Sequence, residues 1–163
     1  MVDQRLDNAQ RVLLGILAVS GATVGGWAAF APRAFYDKFP GLGQIWVAVD
    51  GPYNEHLVRD VGALNLALAV ISVCALVSLA RSTIVAAGLA WLVYGVPHLV
   101  YHARHLGPYD GTQSVALLSS LASTSVLALL ILWLERARVP RPEPKRDAPQ
   151  RASEASGATS VGD

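Results

Sequence analysis

The stretch VGALNLALAVISVCALVSLA, residues 61–80, contains no Asp, Glu, Lys or Arg. Only Arg81 separates it from a second such stretch, STIVAAGLAWLVYGVPHLVYHA, residues 82–103. About 20 apolar residues in a helix cross roughly 30 Å of hydrocarbon. Both runs meet that length, and the single charged residue between them leaves room only for a tight turn. The pair therefore reads as two consecutive membrane helices. Their apolar character continues around the helix rather than forming one stripe, which is the pattern of segments wrapped in lipid or sunk in a large core.

Two more charge-free runs flank this pair. One extends from Val12 to Pro32; the other extends from Gly111 to Leu134 and holds a span over about 113–134. Four such helices in 163 residues cannot all hide inside a soluble core. Composition agrees: 53% of the chain is hydrophobic, 15% is charged, and mean hydropathy is +0.39. An ordinary soluble domain carries about 25% charged residues. The single cysteine, Cys74, excludes an internal disulfide framework, and a net charge of +1 excludes steering toward nucleic acid by the whole molecule. The expected fold class is all-α, a polytopic four-transmembrane-helix bundle over residues 1–134. Its spans are about 12–32, 61–80, 82–103 and 113–134, with an ordered outer loop over 33–60. Residues 135–163, with Pro140, Pro142, Pro144 and Pro149 and a basic start, are expected to form a disordered cytoplasmic tail that can sit against anionic headgroups.

Placing both termini in the cytoplasm puts Arg5, Arg11, Arg81, Arg136, Arg138, Arg141, Lys145, Arg146 and Arg151 inside. Arg33, Lys38, Arg59 and Arg104 are then outside. Nine against four satisfies the positive-inside rule, so the expected location is the cell membrane with both ends cytoplasmic. The first span ends in Ala29-Phe30-Ala31, which resembles a leader cleavage site, but Pro32 follows directly and the preceding segment balances Asp3 and Asp7 against Arg5 and Arg11. It reads as a retained span. Eleven arginines against two lysines fit a GC-rich, bacterial genome.

The loop over 33–60 is rich in rings. Phe35, Tyr36, Phe39, Trp46 and Tyr53 suit a headgroup layer, and a short interfacial helix with a Pro-Gly turn is the simplest picture. The loop ends in the densest polar run of the chain, Asp50 to Asp60. Asp50 or Asn54 can cap a helix there. In that helix Glu55 and Arg59 stand four apart, as do His56 and Asp60. Arg59 and Asp60 open an apolar span, so they are expected to point between helices, either as a structural ion pair or as part of a ligand or metal pocket.

The third span carries the other histidines. At 100° per residue, His98, His102 and His105 fall within about 60° of one another, and Trp91, Tyr94 and Tyr101 widen the arc to only about 100°. Pro97 lacks an N–H and is expected to kink the helix beside this cluster. All four histidines thus lie toward the outer face. Imidazole and carboxylate at i, i+4 spacing build metal sites in helical bundles, so His56, Asp60, His98 and His102 form a candidate metal set. The wider pocket adds Glu55, Arg59, Tyr94, Tyr101 and His105. Interfacial packing, a divalent metal or haem site, and an organic-ligand or proton-relay pocket all remain open.

Gly21 and Gly25 in the first span, and Ser119 and Ser123 in the last, space small residues for close helix approach within the bundle. The four-span order, the long first outer loop and Arg59-Asp60-Val61-Gly62 at the second span resemble DoxX-like small bacterial membrane proteins over roughly residues 11–134. The resemblance implies the architecture and no activity; the His98–His105 stripe and the segment from Gly51 to His56 lie outside its pattern. Three function classes follow: an accessory or structural membrane component, possible partners being the bilayer, another protein or a second copy of the chain; a metal-, haem- or quinone-binding oxidoreductase; and a small proton-coupled carrier. The spans hold no Ser, Thr or Cys beside a base, which leaves covalent catalysis unsupported.

Overall fold

The computed structural model describes residues 2–138. The expected tail from 139 onward lies outside the described residues. The chain forms α1 (Val2–Phe30), α2 (Pro32–Lys38), the two-residue strands β1 (Pro40–Gly41) and β2 (Gln44–Ile45), α3 (Glu55–Ser78), α4 (Arg81–Arg104) and α5 (Gly111–Arg136). Four of these helices are long and apolar enough to cross a membrane. Each is longer than its charge-free core, and side-chain caps hold the starts of α3 and α5.

The caps are local in origin. The Asn54 side chain accepts a hydrogen bond from the Leu57 amide at 3.1 Å, fixing the start of α3 six residues before its apolar run. Asp110 and Gln113 make a capping box on α5: the Gln113 amide donates to Asp110 Oδ1 at 2.7 Å, and the Asp110 amide donates to the Gln113 side chain. Between α3 and α4 the turn consists of Leu79, in the left-handed region at φ 48°, and Ala80. Arg81, expected in the turn, is instead the first residue of α4. Pro97 lies within α4, which continues through it as one helix.

The helices alternate in direction and pack in the order α1, α3, α4, α5, with α5 closing back on α1. Four antiparallel crossings bring the start of α1, the end of α5 and the Leu79–Ala80 turn to one end, termed the termini end. The 31–54 and 105–110 connections lie at the other, the loop end. The α1–α3 seam is the tightest. A Cβ added at Gly25 would stand 2.7 Å from the Leu66 backbone nitrogen and 2.8 Å from the Gly62 carbonyl; one at Gly21 would stand 2.8 Å from the Asn65 carbonyl. Glycine at these positions lets the two backbones touch, as the Gly21/Gly25 spacing led one to expect. The expectation for α5 fails. Ser119 and Ser123 are uncovered, and it is Ser125 that meets α4, against Gly95.

The central core joins all four spans: Leu14 and Leu17 from α1, Leu68 and Ala75 from α3, Ile84, Ala87 and Trp91 from α4, and Ala128 and Ile131 from α5. Two smaller apolar clusters sit at the loop end. One joins Ala28, Phe35 and Val58; the other joins Trp46, Tyr109 and Leu117.

The boundary at 135 also needs correction. α5 runs on to Arg136, and Glu135 is 3% exposed. Its Oε2 accepts from the Gln10 side-chain amide at 2.9 Å and pairs with Arg138 at 3.3 Å, while Arg138 also meets Asp7 at 2.7 Å. Arg11 reaches across to the Leu76 carbonyl at 2.8 Å. A polar clasp therefore ties the first and last helices together where a free tail was expected to begin.

Candidate functional site

The α4 stripe forms as the helical wheel predicts. Trp91 donates from Nε1 to Ser72 Oγ at 2.9 Å, and Ser72 donates onward to the Leu68 carbonyl. One turn nearer the loop end, the Asn65 amide donates to the Tyr94 hydroxyl at 3.1 Å and to the Val61 carbonyl at 2.9 Å. The rings then climb α4: Tyr94 to His98 with centroids 5.4 Å apart, His98 to His102 at 4.9 Å, Tyr101 to His102 at 5.2 Å, and Tyr101 stacked on His105 at 4.3 Å. His105 donates from Nδ1 to the Tyr101 carbonyl at 2.7 Å. From Trp91 to His102 is eleven residues, about 16 Å of helix at 1.5 Å per residue. A single polar and aromatic file thus enters the bundle from the loop end along the α3–α4 interface.

Two residues outside the predicted set complete its mouth. The Asp50 carboxylate stands within electrostatic reach of His98, His102, Tyr101 and Tyr109. Tyr109 is buried, its ring 6.4 Å from His102, and its hydroxyl donates to the Trp46 carbonyl at 2.7 Å. Burial, with Asp50 nearby, pushes the Tyr109 phenol up to about 12. No short spacing signals Asp50, which the loop returns to α4 from some fifty residues away in sequence.

Along this file, His98 has ring contacts but no hydrogen bond to a described residue. His102 Nδ1 is buried with no hydrogen-bond partner among the described residues. A buried imidazole nitrogen wants a donor or an acceptor, and leaving it bare costs free energy. Both histidines are therefore free to take a hydrogen bond from something other than this part of the chain.

The α3 residues go elsewhere. Glu55 and Arg59 make an ion pair of 2.9 Å, and His56 and Asp60 lie 3.3 Å apart, with side chains 87% and 60% exposed. The face of α3 that packs holds Val58, Gly62, Asn65 and Ala69. On the same 100° wheel His56 and Asp60 fall nearly opposite it. Arg59 and Asp60 accordingly do not point between helices, although the Arg59 guanidinium curls back to donate to the Ala29 carbonyl and ties α3 to the end of α1. The four-residue metal set is not assembled. Among the described residues, no group of three or more His, Cys, Asp and Glu side chains stands where it could hold a metal ion.

The loop end is otherwise closed by rings. Trp27 meets Phe35 at 5.8 Å and Phe39 at 5.9 Å, Phe39 meets Trp46 at 5.9 Å, and Tyr36 meets Tyr53 at 5.2 Å. Arg33 lies over the Tyr53 ring at 4.9 Å and pairs with Asp37 at 2.8 Å, which raises its pKa. Tyr36 donates to the Gly51 carbonyl at 2.5 Å, pinning the loop to α2. α2 is the expected short helix, and the hairpin pairing Pro40 with Ile45 and Gly41 with Gln44 replaces the expected simple Pro-Gly turn.

Comparison with known proteins adds no family. No family model matches the chain, and neither a curated protein nor a solved structure matches it.

Proposed function

We propose that this chain is a small multi-pass protein of the cell membrane, with both termini cytoplasmic. In this reading it is an accessory or structural component rather than an enzyme or carrier, and it has the architecture of DoxX-like bacterial proteins. One observation carries the non-transporting part. Between the Ser72–Trp91 pair and the Gln10–Glu135 clasp, the bundle is filled by Leu14, Leu17, Ile84, Ala87, Ala128 and Ile131, all fully buried. A polar file that ends on such a layer is a blind recess, because a proton or ion crossing it finds no hydrogen-bonding group. The excess of basic residues at the termini end supports the orientation.

The test is proton leak. The full chain is reconstituted into sealed liposomes with a trapped pH dye, and a pH step is imposed. Leak within about twofold of protein-free liposomes is expected. Leak several-fold faster, and abolished by His98→Ala, would replace this reading with a carrier.

The bare Nδ1 of His102 favours a second reading, in which the cluster of Asp50, His98, Tyr101 and His102 holds a small organic ligand. An absorption spectrum and a mass spectrum of the solvent extract of purified protein decide it. A stoichiometric compound present in the wild type and lost in His98→Ala/His102→Ala would establish a ligand-binding or redox role.

A further inference from the structure

The hairpin at the loop end has a feature that packing among the described residues does not explain. Its tip is Leu42, 104% exposed and held at φ 57°, between Gly41 at φ 95° and Gly43 at φ 78°. A left-handed position favours glycine or asparagine, and a branched apolar side chain there is uncommon. The tip is nonetheless firmly held. Pro40 and Gly41 pair with Ile45 and Gln44, the Trp46 amide donates to the Phe39 carbonyl at 2.8 Å, and the Trp46 indole donates to Gln44 at 3.0 Å.

Two further observations say what meets this tip. First, residues 39–49, FPGLGQIWVAV, carry no charge at all, and Ile45 and Val49 are 42% and 43% exposed. A water-facing loop of this length ordinarily carries charge. Second, the hairpin base packs on the end of α1 and the first turns of α5 as well as on Tyr109 of the 105–110 connection. Phe39 packs on Trp27, three residues before α1 ends, and Trp46 packs with Leu117, six residues into α5. At 1.5 Å per residue the partners Trp27 and Leu117 lie about 4.5 Å and 9 Å in from their helix ends. Leu42 is only three residues from Phe39, so it stays within about 10 Å of that level. The surrounding helices present Phe30, 80% exposed, and other apolar side chains outward at the same end.

We propose that the 41–43 tip is a membrane-inserting finger, in which Leu42 sits at the boundary between lipid headgroups and acyl chains beside the bundle. A rigid apolar tip at headgroup depth enters lipid without reorganising the loop, and it fixes the cap, with its recess, at a set height against the bilayer. This inference rests on the four helices spanning the membrane, and its test carries a control for that premise.

In the Cys74→Ala background, Leu42→Cys and, separately, the exposed Lys38→Cys are labelled with bimane and placed in phosphatidylcholine vesicles. The expected result is that lipid-borne shallow nitroxide quenches the Leu42→Cys label at least threefold more than the Lys38→Cys label, and that aqueous iodide does the reverse. Equal iodide quenching of the two, with no preference for the lipid quencher, overturns the proposal. A second measurement leaves the tip unaltered: wild-type protein is irradiated in vesicles of diazirine-acyl phosphatidylcholine, and adducts are mapped by mass spectrometry. Adducts at Leu42 together with adducts on Val19, Val70 or Val93 are expected. Adducts on those helix residues with none over 41–43 would place the tip in water or against a protein partner. Absence of adducts on the helices as well would overturn both the finger and the membrane reading beneath it.

Discussion

The two ends of the bundle are both polar, and they are built in opposite ways. At the termini end Gln10, Glu135, Arg138 and Asp7 are drawn inward, and the charged groups meet one another. At the loop end the charged side chains Glu55, His56 and Asp60 turn outward and Arg59 reaches back to the Ala29 carbonyl, while the groups on the packed side of α4 are imidazoles and phenols, His102 Nδ1 among them without a hydrogen-bond partner among the described residues. A charge that is buried must be paired, so the first end behaves as a lock. Imidazole and phenol rings carry no obligate charge, so the second end packs without an internal ion pair. The lesson is that the polar residues easiest to see in the sequence are not the ones holding the fold together.

Breaking the seam that joins the ends is expected to have the largest effect. Gly25→Val pushes a side chain into the Leu66 backbone, where little can give, and should cost about 3 kcal/mol or prevent folding. Thermal unfolding in detergent measures it. Next comes the lock. Glu135→Ala strips the buried acceptor from Gln10 and Arg138 and should cost about 2–3 kcal/mol. Glu135→Gln, which keeps a side-chain oxygen for Gln10 but not the charge for Arg138, should fall between it and the wild type. If Glu135→Ala unfolds like the wild type, the two ends do not differ in the way described.

At the loop end smaller effects are expected. Tyr109→Phe removes the hydrogen bond to the Trp46 carbonyl at a cost of about 1 kcal/mol. It should also remove an alkaline transition. The fold favours the neutral phenol, so that contribution is complete below the ordinary tyrosine value of 10 and is lost as pH rises through about 12. Trp46 fluorescence over that window should report loosening in the wild type and none in Tyr109→Phe. The smallest effect belongs to His98→Ala/His102→Ala, at under about 1 kcal/mol. Removing the two imidazoles forfeits their ring packing on Tyr94 and Tyr101, but it also removes an unpaired buried nitrogen, and the two effects offset each other. A loss of 3 kcal/mol there would make the histidines part of the lock.

The membrane helices were legible because hydropathy over 20 residues is a local property. The Asn54 cap and the Gly21/Gly25 seam were legible for the same reason, as each is a short spacing with one physical use. The α4 ring ladder was legible because one helix wheel contains it. What escaped the sequence depends on partners far along the chain. Glu135 looks like the start of a tail unless Gln10, 125 residues earlier, is known to face it. His56 and Asp60 look like half of a metal site unless Gly62 and Asn65 are known to claim the packed face of α3. Asp50 is an ordinary loop acid until the ring cap returns it to α4.

The central claim is that the polar file ends blind on the apolar layer, and cysteine accessibility along α4 tests it most directly. In the Cys74→Ala background, single cysteines at Ile84, Ala87, Trp91, His98 and His102 are challenged in sealed vesicles with a membrane-impermeant maleimide from each side. The account predicts labelling at His102 and His98 from the loop side alone, and none from either side at Ala87 and Ile84. Labelling at Ala87, or at His98 from the termini side, would show a continuous aqueous path and contradict it.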